Sequence, residues 1–160
     1  MPIQQMFLGV GGAVSMIDQS EDWGSKITEE GITFDASASE DDMFDADWPA
    51  TPSKLFRGAG GLKLTHTFTG VTSIRVCCYI YSTWNYFEVN GSSSTVLGTE
   101  TTSNALATWN DLTVPAGGTV TSIEWGYTST ANYYCSGIEI NDKLLVNDDI
   151  VDPDIPGYTD

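Results

Sequence analysis

Residues 135–147 read CSGIEINDKLLVN. Ile138 and Ile140 alternate with Glu139, and an apolar run resumes at Leu144 and continues to Val146. Asn and Asp tolerate the left-handed backbone that a tight turn between twisted strands requires, so Asn141-Asp142 is a two-residue hairpin turn. The expected hairpin caps a core with Ile138, Ile140, Leu144 and Val146, and turns Glu139 to water. It holds no nucleophile–base pair, no metal-ligand spacing and no basic patch. It is a clasp, and a domain that closes on such a clasp is built of strands.

The preceding sequence carries the same period. In LKLTHTFT, Leu62, Leu64, His66 and Phe68 share one face and Lys63, Thr65, Thr67 and Thr69 the other, the mark of a half-buried strand. SIRVCCYIYS, WNYFEV, STVLGT, ALATWNDLTV and TVTSIEWGYTS follow, separated by turn signals such as Asn90-Gly91 and Pro115-Ala-Gly-Gly. No amphipathic helix and no internal repeat is visible. The expected fold is all-β: an antiparallel, jelly-roll-like β-sandwich over residues 30–147, preceded by an irregular N-terminal arm (1–29) and followed by an acidic tail (148–160). Within the sandwich, 30–61 reads as irregular structure with short strands, because Asp, Pro and Gly punctuate it. Met43, Phe44, Trp48, Leu55 and Phe56 are the residues able to pin that long loop to the core.

Composition narrows the function classes. The 160-residue chain has 22 acidic against 6 basic residues, a net charge of −16. Nucleic acids and anionic membrane surfaces are therefore not expected as partners, since both select Lys and Arg. Hydrophobic residues make up 41% of the chain, enough for a single packed core. Three cysteines, Cys77, Cys78 and Cys135, make a poor disulfide framework. Adjacent strand residues point to opposite faces, so Cys77 and Cys78 should not bond each other, while one bridge from Cys135 stays open. Reduced thiols packed as small apolar groups suit assembly in a reducing cytoplasm. The start, MPIQQMFLGVGGAV, has no basic n-region and its apolar run is interrupted by glycines, so no secretory signal is expected. No run is long enough for a transmembrane helix.

Few residues offer chemistry. The single histidine, His66, lies mid-strand beside Leu64 and Phe68, where a packed imidazole is expected; one histidine builds neither a His-rich metal site nor, with no nucleophile motif present, a hydrolytic triad. Carboxylates are so abundant that any pair resembling a glycosidase site is coincidental. No enzymatic activity and no obligatory cofactor is expected. Asp41, Asp42, Asp45 and Asp47 form a candidate Ca²⁺ site, because this ion takes roughly six to eight oxygen ligands from flexible loops; the plainer role is a solvated acidic loop, and the spacing is not that of an EF-hand. Among the aromatics Trp84, Tyr86, Trp109, Trp125, Tyr127, Tyr133 and Tyr134, either core filling or sugar stacking is open. Trp84, Tyr86 and Tyr133 are the candidate carbohydrate-binding set, since Asn, Ser and Thr surround them.

From Phe44 onward the chain resembles a β-sandwich module of virion proteins from tailed phages, especially those of cyanobacteria and other aquatic hosts. The resemblance is carried by MFDADWPATP, LKLTHTFTGVTSIRVCCYI, NYFEVNG, TWNDLTV and SIEWGYTSTANYYCSGIEINDKLLVN. In that family a Phe-Asp-Gly-Asp loop precedes the sandwich and an Ile-Glu-Ile hairpin ends it; here Ala46 stands at the usual glycine. The start, MPIQQMFLG, also resembles N-termini of such proteins.

The resemblance implies a structural virion protein assembled in the host cytoplasm and no chemistry. With no coiled-coil or β-helix shaft pattern, a surface accessory subunit is expected, either a capsid decoration (cement) protein or a small tail-surface protein. Its partners would be other virion proteins and further copies of itself. Docking would use the apolar arm residues Ile3, Met6, Phe7, Leu8 and Val10, which must bury themselves on their own domain or on a neighbour. The alternative is a carbohydrate-binding module that recognises a host-surface glycan.

Overall fold

The computed structural model describes residues 15–30, 33–34, 43–44, 55–78, 85–94, 108–150 and 158–159. Its spine is β9 (Val120–Ile140), a strand of 21 residues that belongs to two sheets. The first part of β9 pairs antiparallel with β4 (Leu55–Phe68), and residues 123–127 also pair with β6 (Asn85–Val89). The last part pairs with β5 (Ile74–Cys78) and, at its end, with β10 (Lys143–Leu145). In the sheet around the last part, β8 (Thr108–Asp111) extends β5, β1 (Ser15–Asp18) extends β10, and β11 (Tyr158–Thr159) extends β1. In the other, β2 (Ile27–Glu30) and β3 (Thr33–Phe34) extend β4, and β7 (Ser92–Ser93) extends β6. The all-β sandwich is thus two sheets of five strands joined by β9, with no α-helix among the described residues. The pairings are antiparallel except for the two made by β1.

Both sheets turn one face to a common core. Leu62, Leu64, Phe87, Val89, Val120, Ile123 and Trp125 come from one; Ile74, Val76, Ile138, Ile140 and Leu145 from the other, joined by Leu112 from just after β8. Each such side chain contributes roughly 1.5–3 kcal/mol by leaving water. Met43 and Phe44 are buried, at 3% and 1% exposure; Trp48 and the side chains of Leu55 and Phe56, expected to pin the same segment, lie outside the described residues. His66 packs edge-on to Trp23 and Phe68, with ring centroids 5.2 and 4.6 Å away.

Both expected Asn turns form. Asn90-Gly91 and Asn141-Asp142 take positive φ at both positions, 55° and 71° in the first, 54° and 61° in the second. Each asparagine also stitches its turn to another segment. Asn90 Oδ1 accepts the Thr121 N–H at 2.7 Å, and Asn141 Oδ1 accepts the Thr72 N–H at 2.7 Å.

Several expectations are corrected. The arm and tail boundaries do not separate from the sandwich, because β1, Trp23 and β2 all lie within it and β11 pairs with β1. Trp23, 1% exposed, is a core residue whose Nε1–H donates to the Asp18 carbonyl at 3.0 Å. The segment LFRGAGG, read as loop, is the start of β4; its glycines accommodate a register shift between Gly58 and Gly60. In the closing hairpin, Leu144 pairs with Glu139, so it shares the Glu139 face and not that of Ile138 and Ile140. Leu144 and Val146 therefore form a separate cluster with Ile17, Trp109 and Ile150, and Leu145 fills the main core.

Glu139 does not face water. Alternation fixes which side of the sheet a residue takes, not whether that side is covered. This side is, and Glu139 is 1% exposed.

Candidate functional site

The outer face of the β4–β9–β6 sheet carries the best-defined polar surface. Cross-strand register aligns Thr28, Lys63, Glu124, Glu88 and Ser93 in one row. The adjacent row on the same face contains Gly61, Gly126 and Tyr86. Two glycines beside one tyrosine leave a shelf, and the ring fills it. A Cβ added at Gly61 would stand 2.5 Å from the Tyr86 hydroxyl oxygen, so the ring reaches across β9 to β4. Its hydroxyl donates to Glu124 Oε1 at 2.9 Å. The other oxygen of that carboxylate lies 3.7 Å from Lys63 Nζ. Tyr86 is half-buried, its orientation set at both ends.

The outer face of the other sheet is arranged differently. Asp111, Arg75, Glu139, Leu144 and Ile17 lie in one cross-strand row. Arg75 Nη1 meets Glu139 Oε2 at 2.8 Å and Arg75 Nε meets Asp111 Oδ1 at 3.3 Å. The guanidinium lies 4.8 Å from the Trp109 ring centroid. One guanidinium is shared between two carboxylates and lies over an aromatic ring, beside an aliphatic cluster, an arrangement that serves packing.

A shallow depression of about 340 Å³ opens between the β6–β7 hairpin and the loop after β8. Val89, Asn90, Ser92, Ser93, Ser94, Thr113 and Pro115 line it. Ser94 Oγ there accepts the Thr113 N–H at 2.9 Å.

Of the candidate carbohydrate residues, Tyr86 lies on the polar face just described; Trp84 and the side chain of Tyr133 fall outside the described residues, as do those of Tyr127 and Tyr134. Trp125 is core, and Trp109 belongs to the cluster under Arg75. Asp41, Asp42, Asp45 and Asp47, and the arm residues Ile3, Met6, Phe7, Leu8 and Val10, also lie outside the described residues. Among the described residues no three His, Cys, Asp or Glu side chains are placed to hold a metal. No helix among them is long and apolar enough to cross a membrane.

The Tyr86 shelf was only partly visible in the sequence. The aromatic in polar company was legible, but its glycine floor comes from strands remote in sequence. The signal available was the glycine pair in β4 and the lone glycine of EWGY, which period-two strands tolerate poorly unless something crosses them. No protein-family model, curated protein or solved structure matches the chain.

Proposed function

We propose that the protein is a non-enzymatic structural subunit of a phage particle, a surface accessory of the decoration, cement or tail-surface kind. It docks on neighbouring virion proteins through its apolar arm and holds its acidic sandwich toward water. One observation supports this above the others. The apolar stretch holding Ile3, Met6, Phe7, Leu8 and Val10 leads into β1, and β1 is sewn in parallel onto β10, half of the closing hairpin. Load on the arm is thereby passed to the clasp: Val146 N–H donates to the Asp18 carbonyl at 3.0 Å, and Gln19 Nε2 donates to the Asn147 and Ile150 carbonyls at 3.2 and 2.8 Å. The same hairpin is the element that most resembles the phage modules. The net charge of −16 keeps unassembled copies apart and soluble.

The test is deletion of residues 1–13, which spares β1. The truncated chain should keep the melting temperature of the full chain and fail to enter particles. Incorporation at the full-length level would overturn the proposal.

A further inference from the structure

We propose that the outer face of the β4–β9–β6 sheet holds a subsite for a neutral hexopyranose, with Tyr86 as its stacking platform. This stands apart from docking by the arm, which involves other residues.

The platform is preorganised. An aromatic ring stacks well on a sugar only if its plane is held, because otherwise ordering the side chain offsets the gain. Here the floor is glycine at Gly126 and Gly61, and the hydroxyl is bound to Glu124, itself beside Lys63. Neither glycine raises a side chain beside the ring. Part of Tyr86 remains solvent-exposed.

The neighbouring row supplies the rim. Glu88 accepts hydrogen bonds, Lys63 donates, and Thr28 and Ser93 do both, while Glu124, 12% exposed and engaged by Tyr86 and Lys63, holds the platform in place. Vicinal sugar hydroxyls, each donor and acceptor, need that mixture. A lysine or arginine side chain would use only the acceptors, and the Glu124 charge is already matched by Lys63. Uronates, sialic acids and sulfated sugars are disfavoured by Glu88, Glu124 and the net charge of −16. The ligand left by these constraints has an apolar C–H face, a hydroxyl rim and no charge.

The test uses the full chain against an array of neutral glucose-, galactose- and mannose-based oligosaccharides, with trigalacturonate and a tetralysine peptide as charged probes. At least one neutral oligosaccharide should bind saturably. Tyr86→Leu, which keeps apolar bulk and loses the flat face, should weaken it about tenfold, and Tyr86→Phe should hold it within about threefold. Circular dichroism melts that match the parent show that both variants are folded. If Tyr86→Leu unfolds, protection of Tyr86 ring protons by the bound oligosaccharide in the parent protein gives the same answer. Overturning results are no neutral binder, binding of a charged probe alone, equal binding by folded Tyr86→Leu, or ring protons unmoved by the sugar.

Discussion

Arg75 and Glu139 form an ion pair of 2.8 Å in which the carboxylate is 1% exposed and the guanidinium side 32%. The pair sits on the outer side of its sheet, where the second apolar cluster and Trp109 cover it. A buried charge that loses its partner is left unsolvated. Arg75→Ala should therefore lower unfolding free energy by about 3 kcal/mol, discounted from the fully buried case for the partial exposure of Arg75. Replacing both, Arg75→Met with Glu139→Leu, should cost less than Arg75→Ala alone. Urea melts of Arg75→Ala and of the double variant check this; a loss in the double variant as large as or larger than that of Arg75→Ala would mean the pair is not coupled.

The Asn141-Asp142 turn gives a prediction of opposite signs at neighbouring positions. Asp142 holds φ of 61°, a region where glycine fits without a penalty, and its side chain makes only a 3.4 Å contact with the Ser73 hydroxyl. Asp142→Gly should raise stability by up to about 1 kcal/mol. Asn141 has φ of 54°, but its side chain holds Thr72 N–H at 2.7 Å and the Gly70 carbonyl at 3.2 Å. Asn141→Ala should lower stability by about 1–3 kcal/mol. Thermal melts of the two single variants decide it, and a gain from Asn141→Ala would refute the stitching role.

What the sequence disclosed follows from the range of each signal. The two Asn turns were legible because a left-handed pair is a local requirement. The strand face in β4 was legible because the period of two is local as well. The position of Trp23 was not, since nothing near it in sequence says that Asn147 Oδ1 will accept the Gly24 N–H at 3.0 Å from the far end of the chain. The burial of Glu139 was hidden for the same reason: Arg75, which pairs with it, and Leu144 and Ile17, which share its cross-strand row, come from other strands. The length of β9 was obscured by TSTANYY, whose polar residues look like a loop yet pair with β4 as far as Leu55.

Gly126 should resist any side chain. A Cβ there would overlap the Gly60 carbonyl oxygen and lie 2.6 Å from the Gly61 Cα, both backbone atoms that cannot rotate away. It marks the place where β4 and β9 approach across the register shift. Gly126→Ala should destabilise the domain by about 3 kcal/mol or more, visible as loss of the cooperative melt. Gly117→Ala makes an instructive contrast: nothing lies near its Cβ, but φ of 89° disfavours alanine, so a loss of only about 1 kcal/mol is expected.

The register also decides which cysteine Cys135 can meet. Cys78 stands directly opposite it, with a shift of register between Cys77 and Cys78. Cys77 is buried and stands across from Gly137 and Trp109 instead. Treatment of the folded chain with oxidised glutathione should thus give one intramolecular bridge. Two thiols each lose hydrogen as the Sγ–Sγ bond forms, and the glutathione disulfide leaves as two glutathione thiols. Because the closed loop is long, the bridged form should gain up to about 4 kcal/mol over the reduced form, less any strain at the shifted register. Non-reducing peptide mapping should recover the Cys78–Cys135 link from the parent protein and from Cys77→Ser, and none from Cys78→Ser. A link through Cys77, or no link at all, would show that the strands do not hold this register in solution.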